Sequence, residues 1–155
     1  MASMASDQGK AISDELNKLT VEQVRQVKEQ VDGEVGLLQD SLSRIRTAAI
    51  RYEMAEKALN NFSQHPQGKQ LLVPLTASLY VPGTLDNADK VLIDVGTGYY
   101  VEKSMSEGKE YCERKINFLK ANHDKLVEVA TEKKNAADQV NLVLQAKLRQ
   151  VMSAK

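Results

Sequence analysis

Few side chains in this 155-residue chain are equipped for chemistry, and their spacing limits what they can do. Cys112 is the single cysteine, so no internal disulfide can form, and His65 and His123 are the two histidines. A metal site on Cys112 and His123 would need the two together, yet the helix they share holds them roughly 16 Å apart. Cys112 falls on an apolar period, which suits a small buried side chain better than a reactive thiol. Gly96-Thr97-Gly98 invites a phosphate-loop reading. Val101 stands where the dinucleotide fingerprint needs its third glycine, and Tyr99-Tyr100-Val101 reads as strand where a helix must follow. A hairpin turn is the better reading. Asn61-Phe62-Ser63 matches a glycosylation acceptor, but the first residues lack the apolar stretch of a secretory signal, so the match is expected to be inert. Tyr99 and Tyr100 could stack on bases. Lys plus Arg and Asp plus Glu are 21 each, however, and a net charge of zero argues against a nucleic-acid surface. No catalytic, cofactor-binding or metal-binding residue is therefore expected, and no run is long enough to expect a membrane span.

The informative pattern is periodic. Apolar residues are 42% of the chain but aromatics only 5%, with no Trp, which suits long helices. Thr20 and Gln23 form a capping-box pattern ahead of an apolar run. Alternating steps of three and four then land on Val21, Val24, Lys28, Val31, Val35, Leu38, Leu42, Ile45, Ala49, Tyr52, Glu56 and Leu59. This is a coiled-coil seam, predicting a helix over 20–63 that ends before His65-Pro66. The same steps recur at Met105, Lys109, Cys112, Ile116, Leu119, His123, Leu126, Ala130, Lys133, Ala137, Val140, Leu144, Lys147 and Val151, predicting a second helix over 104–152. Each narrow stripe must be covered, and the other helix folded back antiparallel is the nearest cover. Residues 1–62 carry eight Lys/Arg against ten Asp/Glu, and residues 103–155 carry eleven against seven, a weak bias toward pairing.

Residues 68–103 change to strand chemistry. Leu71 to Leu75 and Leu79 to Val81 flank the polar turn Thr76-Ala77-Ser78, and Pro82-Gly83 is read as a second turn. Pro74 must then sit at an edge or a bulge. Val91 to Val95 and Tyr99 to Val101 flank a three-residue loop with Gly98 in the left-handed region, pairing Val95 with Tyr99 and Ile93 with Val101. Asp86 to Asp89 links the two hairpins. Two-stranded ribbons are marginal in water, so several chains are expected to pool them into a closed body. The assembly residues are Leu71, Val73, Leu75, Leu79, Val81, Val91, Ile93, Val95, Tyr99 and Val101. The fold class is α+β, mainly α: a long antiparallel two-helix coiled coil joined by two β-hairpins that form an oligomeric β-barrel platform, all within one domain over 1–155.

Helix, two hairpins and helix in this order resemble the alpha class of the prefoldin family. The resemblance is carried by the segment from Gly68 to Thr76 (GKQLLVPLT), by Leu79-Tyr80-Val81-Pro82-Gly83, and by the segment from Val91 to Lys103 (VLIDVGTGYYVEK). It covers about residues 14–152, specific in the hairpins and generic in the heptads. It implies a hexamer of two alpha-class and four beta-class subunits, with a double β-barrel platform and six projecting coiled coils. It further implies that the helix ends hold unfolded clients such as actin and tubulin and pass them to the cytosolic chaperonin without using ATP, in the cytoplasm and also in the nucleus.

The residues themselves meet that mechanism at the arm tips, taken as a flexible N-terminal segment over 1–19 and the last turns of the second helix. Apolar side chains not used by the partner helix would grip a client: Ile12, Leu16, Leu19 and Val21 on one arm, and Val143, Leu144, Leu148, Val151 and Met152 on the other. Val143 and Leu148 lie off the strict seam and are expected to be freer than Leu144 and Val151. Gly33 and Gly36, each costing about 1 kcal/mol against Ala in a helix, are expected to loosen the first arm. A structural coiled-coil adaptor that binds one folded partner is the alternative the arms alone permit. An enzyme is not expected, because no acid, base, nucleophile or metal set converges.

Overall fold

The computed structural model describes residues 13–64 and 67–153. Residues 13–18 are helical, followed by α1 (Val21–Phe62), β1 (Gln70–Pro74), β2 (Tyr80–Thr84), β3 (Lys90–Gly96), β4 (Tyr99–Ser104) and α2 (Met105–Ser153). Residues 13–45 with 122–153 pack as one compact unit and residues 46–121 as another.

Local sequence starts both long helices. The Thr20 backbone N–H donates to Gln23 Oε1 at 2.9 Å and the Gln23 N–H to Thr20 Oγ1 at 3.2 Å, the expected capping box. A second box opens α2 and went unread in the sequence. The Ser104 N–H donates to Glu107 Oε2 at 2.9 Å and the Glu107 N–H to Ser104 Oγ at 3.2 Å. The Ser104 N–H and the Ser104 hydroxyl, both donating to the Glu107 carboxylate, hold it below the usual range, with Lys103 beside it adding to the effect.

The seam is where the period puts it. All twelve predicted seam positions of α1 are buried or half-buried, and so are all those of α2 except Val151. Pairing is antiparallel in each unit. In the first, Glu34 meets Lys133 at 2.5 Å and Asn17 faces Lys147. Glu34 is held below its ordinary range, chiefly by the hydrogen bond from Lys133. Its core is a cluster of Leu16, Val24, Val140, Val143 and Leu144, with Val24 fully buried. In the second unit, Glu53 meets Lys120 at 3.2 Å and Ser63 accepts from Lys109 at 3.2 Å. Cys112 and Ile116 are buried here, and the Tyr52 and Tyr111 rings meet edge-on at 6.2 Å. Burial foremost, then Glu56, pushes the Cys112 thiol up, away from the reactive thiolate.

The hairpins are two separate two-stranded antiparallel sheets, β1–β2 and β3–β4. The first differs from expectation in length. Pro82 and Gly83 do not turn the chain; they continue β2, opposite Leu72 and Leu71. The ladder explains why proline is tolerated. Leu75 donates to the Leu79 carbonyl and Leu85 to the Lys69 carbonyl, so odd-numbered residues carry the bonds between the strands. Pro74 and Pro82 occupy the intervening positions, where a backbone nitrogen points to the outer edge and has no bond to lose. In the second hairpin Ile93 pairs with Val101 as expected. Val95 does not pair with Tyr99: Gly96 does, and Val95 is left in a bulge. The connection shortens to Thr97-Gly98, with φ of 52° and 80°, both positive as a tight two-residue hairpin turn demands.

α2 begins against this second hairpin. Gly108 is buried, and a Cβ there would lie 2.8 Å from Val91 Cγ2 and 3.5 Å from Leu59 Cδ1. Its missing side chain lets α2 pass close to β3 and to the end of α1.

Candidate functional site

Two surfaces offer apolar side chains to another molecule, one on the hairpins and one at the ends of the paired helices.

Strand alternation sorts the first hairpin into faces. Leu71, Val73, Leu75, Leu79 and Val81 share a face with Leu85, as the expected assembly set requires. They remain largely uncovered: Leu75 is 59% and Leu79 54% exposed. The opposite face also carries apolar groups the sequence reading passed over, Leu72 at 66% and Tyr80 at 51%. On the second hairpin Val91 and Ile93 are half-buried, whereas Val95, Tyr99 and Val101 are exposed. Tyr99 reaches 72%. Leu92, again unpredicted, is 69% exposed. Clefts of roughly 300–1,000 Å³ commonly hold small ligands. The hairpins enclose one of ≈ 620 Å³, lined by Phe62, Leu71, Val73, Val91 and Leu92, with Lys90 and Glu102 at its polar side. Lys90 donates to Glu102 at 2.6 Å across β3 and β4. The Glu102 carboxylate raises the Lys90 ammonium above its ordinary value. Thr84, Asp86 and Asn87 line the same groove, so its wall mixes apolar and polar groups.

The helix ends differ from expectation in which residues are free. Leu16, Val143 and Leu144 are buried. Val143 and Leu148 were expected to be freer than Leu144 and Val151, yet Leu148 is half-buried where Val151 is exposed, and Val143 is buried. Val143 is covered because residues 13–18 fold over α2 and Leu16 packs on it. Leu19, Val21 and Leu148 are half-buried against the same cluster. Val151 and Met152 stand free at 53% and 78%, as does Leu142 at 59%, which the heptad reading left out. Leu19, Thr20, Val21, Lys147, Gln150 and Val151 line an open groove of ≈ 340 Å³. Ile12 and His65 lie outside the described residues.

A family model described as "Prefoldin subunit" matches residues 28–150, most of both helices and both hairpins. The chain belongs to the prefoldin family. It is 60% identical over 140 residues to prefoldin subunit 5 of Arabidopsis thaliana, covering 90% of this chain and 93% of that protein. Prefoldin subunit 5 of Homo sapiens is 38% identical over 136 residues, covering 88% of each. The probable prefoldin subunit 5 of Schizosaccharomyces pombe is 40% identical over 114 residues, covering 72% of this chain and 74% of that protein. Among solved structures, a filamentous prefoldin from Methanocaldococcus jannaschii, determined by cryo-electron microscopy, covers 82% of this chain and 96% of its own with a TM-score of 0.62. At 20% identity that likeness concerns the fold alone.

Proposed function

We propose that this prefoldin subunit is an alpha-class member of a cytosolic heterohexamer, two alpha-class and four beta-class chains, that acts as an ATP-independent holdase. Its hairpins join those of neighbouring subunits in a shared β-barrel platform. The apolar ends of its paired helices hold unfolded or nascent proteins, actin and tubulin among them, for transfer to the cytosolic chaperonin.

The uncovered apolar faces of the two hairpins carry this reading. Each large apolar side chain covered on assembly contributes about 1.5–3 kcal/mol, and Leu72, Leu75, Leu79, Leu92 and Tyr99 are all more than half exposed in the single chain. Each two-stranded sheet also presents outer edges that another strand can extend.

The test is reconstitution. Alone, the chain is expected to self-associate in a concentration-dependent way by light scattering; mixed with beta-class subunits it gives one defined hexamer. That hexamer suppresses aggregation of several unrelated denatured proteins without added nucleotide. A monodisperse monomer that ignores beta-class subunits would overturn the platform. A complex that binds one folded partner and no denatured protein would replace the holdase with an adaptor.

A further inference from the structure

The helix ends are not empty in the single chain. Residues 13–18 form a short helix that leaves the direction of α1 at Leu19 and Thr20, where the helical ladder is broken and the capping box restarts it. The turn returns over α2 and inserts Leu16, 6% exposed, among Val24, Val140, Val143 and Leu144. Lys147 Nζ donates to the Asn17 carbonyl at 2.9 Å, a cation on the last turn of that short helix, where free carbonyls favour it. Asp14, Glu15, Asn17 and Lys18 stay exposed. A helix of this length has no stability of its own in water. Its placement therefore rests on Leu16, the half-buried Leu19 and one lysine bond, the kind of modest amphipathic contact that an unfolded polypeptide also makes. Lys147 and Leu19 line the open groove beside it, so the segment and that groove share walls.

We propose that residues 13–19 are an internal strap that occupies the apolar helix ends in the unloaded subunit, so that a client must displace Leu16 to gain full contact there. This rests on the holdase reading above and adds its regulation. The strap sets a threshold. Segments offering less than one well-packed leucine do not open it, whereas longer apolar segments exchange with it and then reach Val140, Val143 and Leu144. By competition, the apparent client affinity is lowered in proportion to the closed fraction.

The test uses the hexamer reconstituted with full-length chain, chemically unfolded citrate synthase as client, and three forms of the subunit: wild type, Leu16→Ser and Leu16→Met. Two readouts are taken, client affinity and amide hydrogen exchange at Leu19, whose N–H bonds to the Leu16 carbonyl. Leu16→Ser is expected to lose protection at Leu19 and to bind client about five- to tenfold more tightly, with Leu16→Met close to wild type. A synthetic peptide of residues 13–20 in excess should return the Leu16→Ser hexamer to wild-type affinity, and the same peptide with serine for leucine should not. Tighter binding by Leu16→Ser that the peptide reverses supports the strap. Unchanged affinity with Leu19 deprotected overturns it, and weaker affinity overturns it in favour of Leu16 as a direct client contact. A Leu16→Ser hexamer that melts at a lower temperature and whose client binding the peptide does not alter makes Leu16 structural and also overturns it. If no form binds client, the holdase reading itself fails, a result distinct from all of these.

Discussion

At the scale of single residues, Thr97 is the position where the backbone and the side chain disagree. Its φ of 52° lies in the left-handed region, and it is the described non-glycine residue that adopts it. The two-residue turn needs positive φ at both central positions, for which Asn-Gly is favoured and a β-branched residue is not. Thr97→Asn is therefore expected to stabilise the second hairpin by about 0.5–1 kcal/mol, read as a raised denaturation midpoint of the assembled complex. An unchanged or lowered midpoint would mean that the Thr97 hydroxyl or methyl makes a compensating contact on assembly. Gly98, at 80°, should tolerate no such exchange.

At the scale of elements, the two long helices are over-determined at their starts and along their seam, and under-determined in the first arm. Gly33 and Gly36 lie one turn apart in α1, exposed, with nothing within 4 Å of where a Cβ would be. They serve no close approach. Gly33→Ala and Gly36→Ala should each stabilise α1 by about 1 kcal/mol, and the double variant about twice that, because neither touches a partner. Hydrogen exchange across Val31–Leu38 should slow accordingly. If slower exchange there is matched by weaker client binding, the glycines supply a flexibility the arm uses; if binding is unaffected, they do not. Gly108 is the opposite case. There the Cβ would press on Val91, so the space is already spent on bringing α2 against β3.

At the scale of the whole molecule, the sheets decide behaviour. The described chain buries only small apolar clusters between its helices, while its hairpins keep large apolar side chains in water. Leu79 and Val81 lie on the face of β1–β2 that carries five of the expected assembly residues. Replacing both, Leu79→Asp with Val81→Asp, should abolish hexamer formation, since burying unpaired carboxylates costs more than the lost leucine and valine contribute. Helical circular dichroism of the isolated chain should change little, because neither residue is part of the helix seam. Loss of helicity together with assembly would show that the hairpins also hold the coiled coil together.

Much of this was legible in the chain as written. Heptad steps from Val21 to Leu59 and from Met105 to Val151 predicted two helices and, Val151 apart, their covered faces, because a 3.5-residue period has one geometric solution. The Thr20-Gln23 box and the Ile93–Val101 register followed from local rules of the same kind. What needed the tertiary structure were features where local rules permit more than one outcome. Pro82-Gly83 is a turn signal that became strand, because the ladder happens to place that nitrogen at an outer edge. Val95 slipped into a bulge because Thr97-Gly98 closed a tighter turn than three residues would. Val143 was buried, and Leu142 left free, by a short N-terminal segment whose docking depends on residues about 125 positions away along the chain. Periodicity records which side chains share a face; only the folded chain records what comes back to cover that face.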